Sequence, residues 1–476
     1  MIDSTANAAA ARDAHMETQI AVPQRPTRYN IGDILAVGLG TTIAMWALGY
    51  AGRMPGDKIP SPVIMVLMVL SLLIGGFVAG SRMRRGVWGG LYSGFVTGTT
   101  NLLLLFTLGK HLTSDQRIIA YAVVWAPAFV LGCGVLEFIG AFIGSRFPKR
   151  GRAMDGEAAL TKVTVAATVL LIFAGGMVVG MNAGLAVPDW PNSFHWNMWM
   201  FPLSHMTGGV FFEHSHRLMG SLVGLASGAL AIYLTFADRR RWVKVLGWVA
   251  FIMVCLQGLL GGLRVTGHLT LSQKRSHMDP SETIAIIHGV FAQIYLATAV
   301  ALCAFCSKAW RAGRRPSTKP WAKNDRILTT VLVLLLVVQL VLGALLRHLG
   351  AAMVEHIVMA GIILLVVMIV GTRTWGLNAD QPILRYLGTA LLVDVVLQIV
   401  LGISALMILH GPKPPVHPTL LEAFVTTIHQ VNGAALFCLA VLAAIWTRRL
   451  LVEGPESQSR AALAAAGTTD SVGATV

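Results

Sequence analysis

Long apolar stretches alternate with short polar segments along most of the chain. Twelve of them are long enough to cross the about 30 Å of hydrocarbon in a bilayer as α-helices. The pattern therefore predicts an all-α integral membrane protein with about twelve transmembrane helices. The predicted spans are near residues 34–52, 63–80, 87–108, 118–144, 163–185, 216–236, 245–265, 283–305, 327–346, 354–371, 387–409 and 424–446.

Composition and charge agree with this prediction. Of the 476 residues 55% are hydrophobic and only 12% are charged, which is typical of a multi-pass membrane protein. If the N-terminus lies inside, the inner segments hold 27 Lys and Arg and the outer loops hold 9. This positive-inside bias places both termini on the cytoplasmic side. The net charge of +15 then reflects topology, and no nucleic-acid partner is predicted.

The location predicted from these features is the bacterial cytoplasmic (inner) membrane. The N-terminal stretch 1–30 is polar and shows no signal peptide. The mitochondrial inner membrane is the alternative, because Arg12, Arg25 and Arg28 lie in a stretch that is poor in acidic residues.

Four histidines recur at matching places in the predicted topology. Each lies in the first turn or two of an outside-to-inside helix, namely the sixth, eighth, tenth and twelfth: His216, His288, His356 and His429. The sequence numbers of the first two differ by 72, and those of the last two differ by 73. Corresponding members of the two pairs are offset by 140 and 141.

Other residues keep the same offset. LQGLLGG at 256–262 matches LQIVLGI at 397–403, and the stretches around His288 and His429 match as well. The sequence thus predicts two tandem, pseudo-symmetric four-helix bundles related by an axis along the membrane normal. The predicted division is a polar tail (1–30), a four-span N-terminal module of unknown role (31–150), a first unit (160–306), a basic inner linker (307–326), a second unit (327–447) and a disordered tail (448–476).

The second and fourth helices of a four-helix bundle stand diagonally, so inward-facing histidines on them can hold a flat metal complex. Heme iron with two axial imidazoles suits such an apolar slot. Zinc prefers three or four ligands, and each unit offers two recurring ones. The spacing favours bis-histidine heme in both units, with a polar relay or simple packing as the alternatives.

The two units differ beside the first histidine. Glu213 and Arg217 share a helix face with His216, whereas the residues around His356 are Met353 and Ile357. On one interpretation Glu213 stabilises the helix N-terminus and pairs with Arg217. On the other, the first unit is a reaction chamber and the second holds an electron-transfer heme.

These residues resemble the heme A synthase family over roughly residues 160–450. The resemblance is carried by Glu213-x-x-His216-Arg217, GLAVPDWP at 184–191, LQGLLGGLRV at 256–265 and IIHGVFAQ at 286–293. It implies that His216 and His288 hold heme O with Glu213 as the catalytic residue. It also implies that His356 and His429 hold a permanent heme b.

The implied reaction oxidises a ring methyl group of heme O to a formyl group and yields heme A for cytochrome oxidase. The implied partners are the farnesyltransferase that makes heme O, cytochrome oxidase assembly, and an electron carrier such as a quinone or a redox protein. Arg217, which belongs to the motif, is expected to bind the heme cofactor, and Arg264 and Arg347 are expected to contact heme propionates. The sequence leaves open whether the chain forms a homo-oligomer.

The chain departs from the family pattern in several places. Residues 184–213 lack the cysteine pair that some members carry, and Val179 stands where the family often has an arginine. The four N-terminal spans are additional, and a docking or stabilising role is expected for them. Glu137 and Asp394 are intramembrane acids without an obvious partner.

Two other functions compete with an enzyme. A non-catalytic dihaem b-type electron carrier accounts for all four histidines but leaves Glu213 unexplained. A transporter accounts for the parallel repeat but not for the matched histidines.

Overall fold

The computed structural model describes residues 31–56, 59–104, 117–147, 153–267, 280–409 and 418–454. The predicted N-terminal tail 1–30 and residues 455–476 of the predicted C-terminal tail lie outside these ranges. Within them the chain is almost entirely helical, which confirms the predicted all-α class.

Twelve long helices correspond to the twelve predicted spans. They are α1 (Ile31–Arg53), α2 (Ser61–Arg82), α3 (Val87–Leu104), α4 (Arg117–Ser145), α5 (Gly156–Gly180), α6 (Gly208–Ala237), α7 (Arg241–Thr266), α8 (Glu282–Phe305), α9 (Ala322–Leu349), α10 (Met353–Gly376), α11 (Pro382–Leu409) and α12 (Leu420–Leu450). Among the described residues, eleven helices are long and apolar enough to cross a membrane. The exception is α3, whose described part is rich in Gly and Thr.

Helices α1 to α4 form the N-terminal module, and glycines allow two of them to pack closely. A Cβ at Gly76 or Gly80 of α2 would lie 2.0 Å from the backbone oxygen of Glu137 or Ala141 on α4. Only residues without a side chain permit this backbone contact.

The module is joined to the rest of the protein mainly through α1, which packs along α5. Tyr50 of α1 stacks on Phe211 of α6 with ring centroids 5.2 Å apart. At the other end of α1, Gly32 lies against the ring of Tyr233, since a Cβ there would be 2.6 Å from it. The module is thus packed against the first unit over the whole length of one helix.

The two predicted units are α5–α8 and α9–α12. Helix α12 packs against both α5 and α8, and α9 packs against α8. The largest core cluster lies at this junction and includes Ile172, Leu296 and Phe437. We call the end of the bundle at which α6, α8, α10 and α12 begin the outer end, following the predicted orientation.

At the opposite, inner end, ion pairs tie the helix ends together. Arg240 contacts Asp238 at 2.6 Å and Glu157 at 3.3 Å, and Arg311 pairs with Glu157 at 3.7 Å. Burial alone would raise the pKa of Asp238, but hydrogen bonds from Arg240 outweigh it and hold that pKa below its usual value. Glu157, Asp238 and Cys306 have metal-binding spacing, but the two arginines already balance the carboxylates.

The linker between the units has structure of its own. It contains the short helix Lys308–Arg311 and the strand Ser317–Thr318, which pairs in parallel with Leu451–Val452 after α12. The linker therefore connects the start of α9 to the end of α12.

Candidate functional site

The structure brings the four predicted histidines together in two pairs near the outer end. The rings of His216 on α6 and His288 on α8 have centroids 6.4 Å apart and planes at 81°. The rings of His356 on α10 and His429 on α12 have centroids 6.5 Å apart and planes at 75°. The tandem repeat seen in the sequence therefore produces two sites of nearly equal geometry.

Each pair has the separation that a shared metal ion requires. A metal ion bound by both rings would lie about 2 Å from one nitrogen of each ring. These two bonds, together with the distance from each nitrogen to its own ring centroid, add up to the observed separation of the centroids. The Nδ1 atoms of all four histidines are buried and lack a hydrogen-bond partner within the part of the chain that the structure describes. These nitrogens face the preceding helix, beside the backbone of Leu171 for His216, of Gln257 for His288 and of Gln398 for His429, which leaves Nε2 as the nitrogen that can take a metal ion.

Each histidine lies against a glycine of the preceding helix. A Cβ on these glycines would lie 2.8 to 3.3 Å from the Cε1 atom of the adjacent histidine. The glycines, in the order of the histidines, are Gly175, Gly261, Gly343 and Gly402. Nothing in the sequence marked these glycines as part of a site, although Gly261 and Gly402 occupy the same place in the two LQ-containing motifs.

Three of the four glycines are preceded, one helical turn earlier, by a glutamine that contacts the histidine segment. Gln257 Nε2 donates to the backbone oxygen of His288 at 3.0 Å. Gln339 Nε2 donates to the backbone oxygen of His356 at 3.1 Å, and Gln398 Nε2 lies 3.5 Å from His429 Nε2. The fourth equivalent position, in α5, is Leu171. The first histidine of the first unit is thus the one held without a glutamine.

Glu213 and Arg217 together hold the outer loop before α6. Arg217 Nη2 contacts Glu213 Oε1 at 2.6 Å, and Glu213 Oε2 accepts a hydrogen bond from the backbone N–H of Val187 at 2.9 Å. Arg217 also donates to the backbone oxygens of Val187, Asp189 and Asn192. The predicted pairing of Glu213 with Arg217 is present, and both carboxylate oxygens are engaged.

The same loop is folded over the first unit by Asp189 and Trp190, two residues of the GLAVPDWP motif at 184–191 for which the sequence predicted no role in closing the site. The carboxylate of Asp189 accepts hydrogen bonds from the backbone N–H groups of Phe194 and His195. The indole of Trp190 lies on Gly262 of α7, where a Cβ would be 2.3 Å away. The short PDWP sequence thus closes the outer end of the first unit. An acidic and an aromatic residue in a short loop were the features of the sequence that could have indicated this role.

The two remaining predicted arginines lie at the outer ends of matching helices. Arg264, in the last turn of α7, donates to the backbone oxygen of Gly184 at 3.1 Å. Arg347, near the end of α9, is half-buried and forms no hydrogen bond within the described ranges. Both positions suit an anionic group near the outer end, and Arg347 is the less engaged of the two.

Other histidines of the sequence lie outside the two pairs. His214 is buried beside Phe201, and its Nδ1 is 3.1 Å from the hydroxyl of Ser193. His348 lies 3.4 Å from Glu282, while His195 and His205 are exposed in the outer loop. None of the four is placed to complete a pair.

The two intramembrane acids that lacked an obvious partner in the sequence each have one in the structure. Glu137 Oε1 accepts a hydrogen bond from Thr97 at 2.7 Å inside the N-terminal module. Asp394 Oδ2 is 3.4 Å from Asn432 Nδ2, which donates to Gln398 at 2.9 Å. Asp394 is therefore linked through two amides to the neighbourhood of His429.

Comparison with known proteins supports the resemblance drawn from the sequence. Residues 158–356 match the family model described as cytochrome oxidase assembly protein. A heme A synthase of Azorhizobium caulinodans is 28% identical over 164 residues, which is 33% of this chain and 44% of that protein. The matched part of the chain thus spans less than half the length of this relative, and the family match covers the first unit and ends at His356.

Proposed function

We propose that this chain, whose residues 158–356 belong to the cytochrome oxidase assembly family, is a heme A synthase. The observation that carries the proposal is the pair of matched bis-histidine sites, of which only the first has a buried acid three residues before its first histidine, because Glu355 next to His356 is exposed. One site for substrate and one for electron transfer is the division of labour that an intramembrane oxidation needs.

In this proposal His216 and His288 hold heme O, and His356 and His429 hold a permanent heme b. The ring separations and the adjacent glycines support both assignments. A bound heme b would supply one-electron transfer. Arg264 and Arg347 lie where they would pair with propionates at the outer end.

The reaction converts a ring methyl group to a formyl group. Written with water as the oxygen source, methyl plus water gives formyl, four electrons and four protons. The electrons pass to an acceptor, for which we propose a quinone or a redox protein. A carboxylate beside the ring can stabilise developing positive charge and accept a proton.

We assign this role to Glu213. Its carboxylate lies on the face of α6 that carries His216, and it is 4% exposed. Arg217 and the N–H of Val187 hold the carboxylate in one orientation, which a positioned base or counter-charge requires. The outer loop that they anchor would also exclude water from the outer end of the site.

The cellular role that follows is the supply of heme A to cytochrome oxidase. The proposed upstream partner is the farnesyltransferase that produces heme O. The proposed setting is the bacterial inner membrane with both termini inside, because inner segments carry 27 Lys and Arg against 9 in the outer loops.

Analysis of the bound heme tests the proposal. The full chain is expressed in a host that makes heme O, purified, and its heme is extracted and identified by mass spectrometry. We expect heme O, hydroxylated forms or heme A in addition to heme B. Heme B alone, even with heme O supplied, would instead establish the dihaem electron carrier.

A further inference from the structure

An apolar groove of about 270 Å³ lies between the two units, bordered by α5, α8 and α12. Ile172 is its lining residue nearest to the first histidine pair, one helical turn from the Gly175 that lies against His216. From there the groove continues along α5 past Val169, away from the outer end. On its α5 side the groove thus begins one helical turn inward of the first histidine pair, and on its α12 side it begins at Val431, two residues after His429.

The side chains that leave the groove open differ between the two halves of the repeat. Small residues line it on α12, where Ala434 and Ala435 stand, and Leu296 lines it on α8. The repeat relates these positions to Gln293, Ile294 and Phe437, because it pairs His288 with His429.

The corresponding space beside the second histidine pair is filled by those larger side chains. Phe437 is 4% exposed and Gln293 is 7% exposed, and Ile294 packs on the same core cluster as Phe437. Two alanines and a leucine beside the first pair thus correspond to a glutamine, an isoleucine and a phenylalanine beside the second pair. Two further lining residues differ the other way, since Cys438 and Leu439 correspond to Ala297 and Thr298, so the repeat is broken toward larger side chains beside the second pair at three positions and toward smaller ones at two.

We propose that this groove receives the isoprenoid tail of heme O, an inference that rests on the function proposed above. Heme O carries a long farnesyl-derived tail where heme B carries a vinyl group. A unit that holds heme O needs room for the tail, and a unit that holds heme B does not. The first unit, which contains Glu213, forms the α5 and α8 walls of the groove, and α12 of the second unit forms the third wall.

The size and chemistry of the groove agree with this occupant. An engineered apolar cavity of about 150 Å³ accommodates the six carbons of benzene. A groove of about 270 Å³ therefore accommodates roughly eleven carbons, which is part of the tail and not its whole length. The lining consists of Val, Ile, Leu, Ala and Cys side chains. Arg264 lies at the outer end of the same unit, so propionates directed to it leave the inner side of the ring for the tail.

The groove would orient heme O more than it would increase the free energy of binding. Lipid tails are as apolar as these side chains, so a tail gains little by leaving lipid for the groove. A tail confined between α5, α8 and α12 would instead hold heme O in one orientation between His216 and His288. The groove therefore selects which ring methyl group faces Glu213.

Filling the groove tests the inference. The double variant Ala435→Ile/Leu296→Phe introduces at these positions the residue types of Ile294 and Phe437, which occupy the corresponding positions beside the second histidine pair. The matched control is Ile294→Ala, which removes volume at the corresponding position beside the second pair. Purified full-length proteins are incubated with equal amounts of heme O and heme B, separated from free heme, and the retained hemes are extracted and quantified by mass spectrometry.

We expect the wild type and the control to retain heme O in preference to heme B. We expect this preference to fall about tenfold in the double variant, because overpacking excludes the tail, while its low-spin heme B spectrum stays unchanged. If the double variant keeps the wild-type preference, the groove holds lipid and the inference is wrong. If the wild type itself shows no preference for heme O, the proposed function fails as well.

Discussion

At the residue scale, the first unit is distinguished by Glu213 and its two contacts. The carboxylate pairs with Arg217 and accepts the N–H of Val187, so it has a structural task in the outer loop. A catalytic task is proposed in addition, and the two can be separated by substitution because Arg217 anchors the loop through three further backbone oxygens.

Glu213→Gln is expected to block the oxidation and leave the permanent heme in place. The substitution removes the negative charge but keeps the four histidines, so heme O or a partly oxidised form should accumulate. Heme A formation should fall by about a hundredfold or more. Heme extraction with mass spectrometry measures the products, and the visible spectrum measures heme B.

Two comparison variants give this prediction its controls. Arg217→Gln loosens the loop but keeps the carboxylate, and it should reduce heme A formation less than Glu213→Gln does. His429→Ala removes a proposed heme ligand and should abolish the low-spin heme B spectrum. Normal heme A formation in Glu213→Gln, or loss of heme B as complete as in His429→Ala, would show that the chemistry is not located in the first unit.

At the element scale, the same arrangement of two consecutive helices occurs four times. An outward-running helix presents a glycine to a histidine in the first turns of the inward-running helix that follows it. The missing Cβ allows the imidazole to lie against the neighbouring helix instead of being pushed away from it. A second pair of the same kind faces it across each four-helix unit.

Gly402→Ala is therefore expected to weaken heme binding in the second unit. The added Cβ would lie 3.0 Å from His429 Cε1, so the imidazole must move by a few tenths of an ångström. We expect a several-fold loss of retained heme B or a change in its low-spin spectrum, measured by absorption of the purified protein.

Gly361→Ala is the matched control for this substitution. Gly361 lies within α10, and a Cβ there would meet nothing within 4 Å. Because alanine is favoured over glycine in helices by about 1 kcal/mol, the control should keep its heme and its thermal stability. Equal heme retention in the two variants would contradict the idea that Gly402 positions His429.

At the scale of the whole molecule, the N-terminal module is an addition to the repeated core. It contains no histidine pair in its described part, and it packs on the first unit through α1. Its buried Glu137 is hydrogen-bonded within the module and does not reach either histidine pair. These contacts support the expected stabilising or docking role.

Removal of the module should leave heme A formation at least partly intact. The cut belongs before residue 153, because Asp155 caps α5 by accepting a hydrogen bond from the N–H of Ala158. The truncated protein should melt at a lower temperature, since Phe211 and Tyr233 lose their partners on α1. Thermal unfolding and heme extraction measure the two effects. A truncated protein that is folded and heme-loaded but makes no heme A would refute the expectation.

The sequence by itself determined the membrane class, the helices and the two histidine pairs. Hydrophobic stretches must be long enough to cross the bilayer, so their number and limits are visible in the chain. A tandem duplication keeps its offset, so the equivalence of His216 with His356 and of His288 with His429 could be read without coordinates. The Glu213–Arg217 pair was equally visible, because residues four apart share a helix face.

The tertiary structure alone decided what surrounds these residues. Contacts between helices join positions that are distant in the chain, and hydrophobic periodicity does not specify which helices are neighbours. The loop contacts of Glu213, the glycine beside each histidine and the Asn432 partner of Asp394 are all of this kind. So is the groove beside Ala434 and Ala435, which exists because α12 of the second unit packs against α5 and α8 of the first.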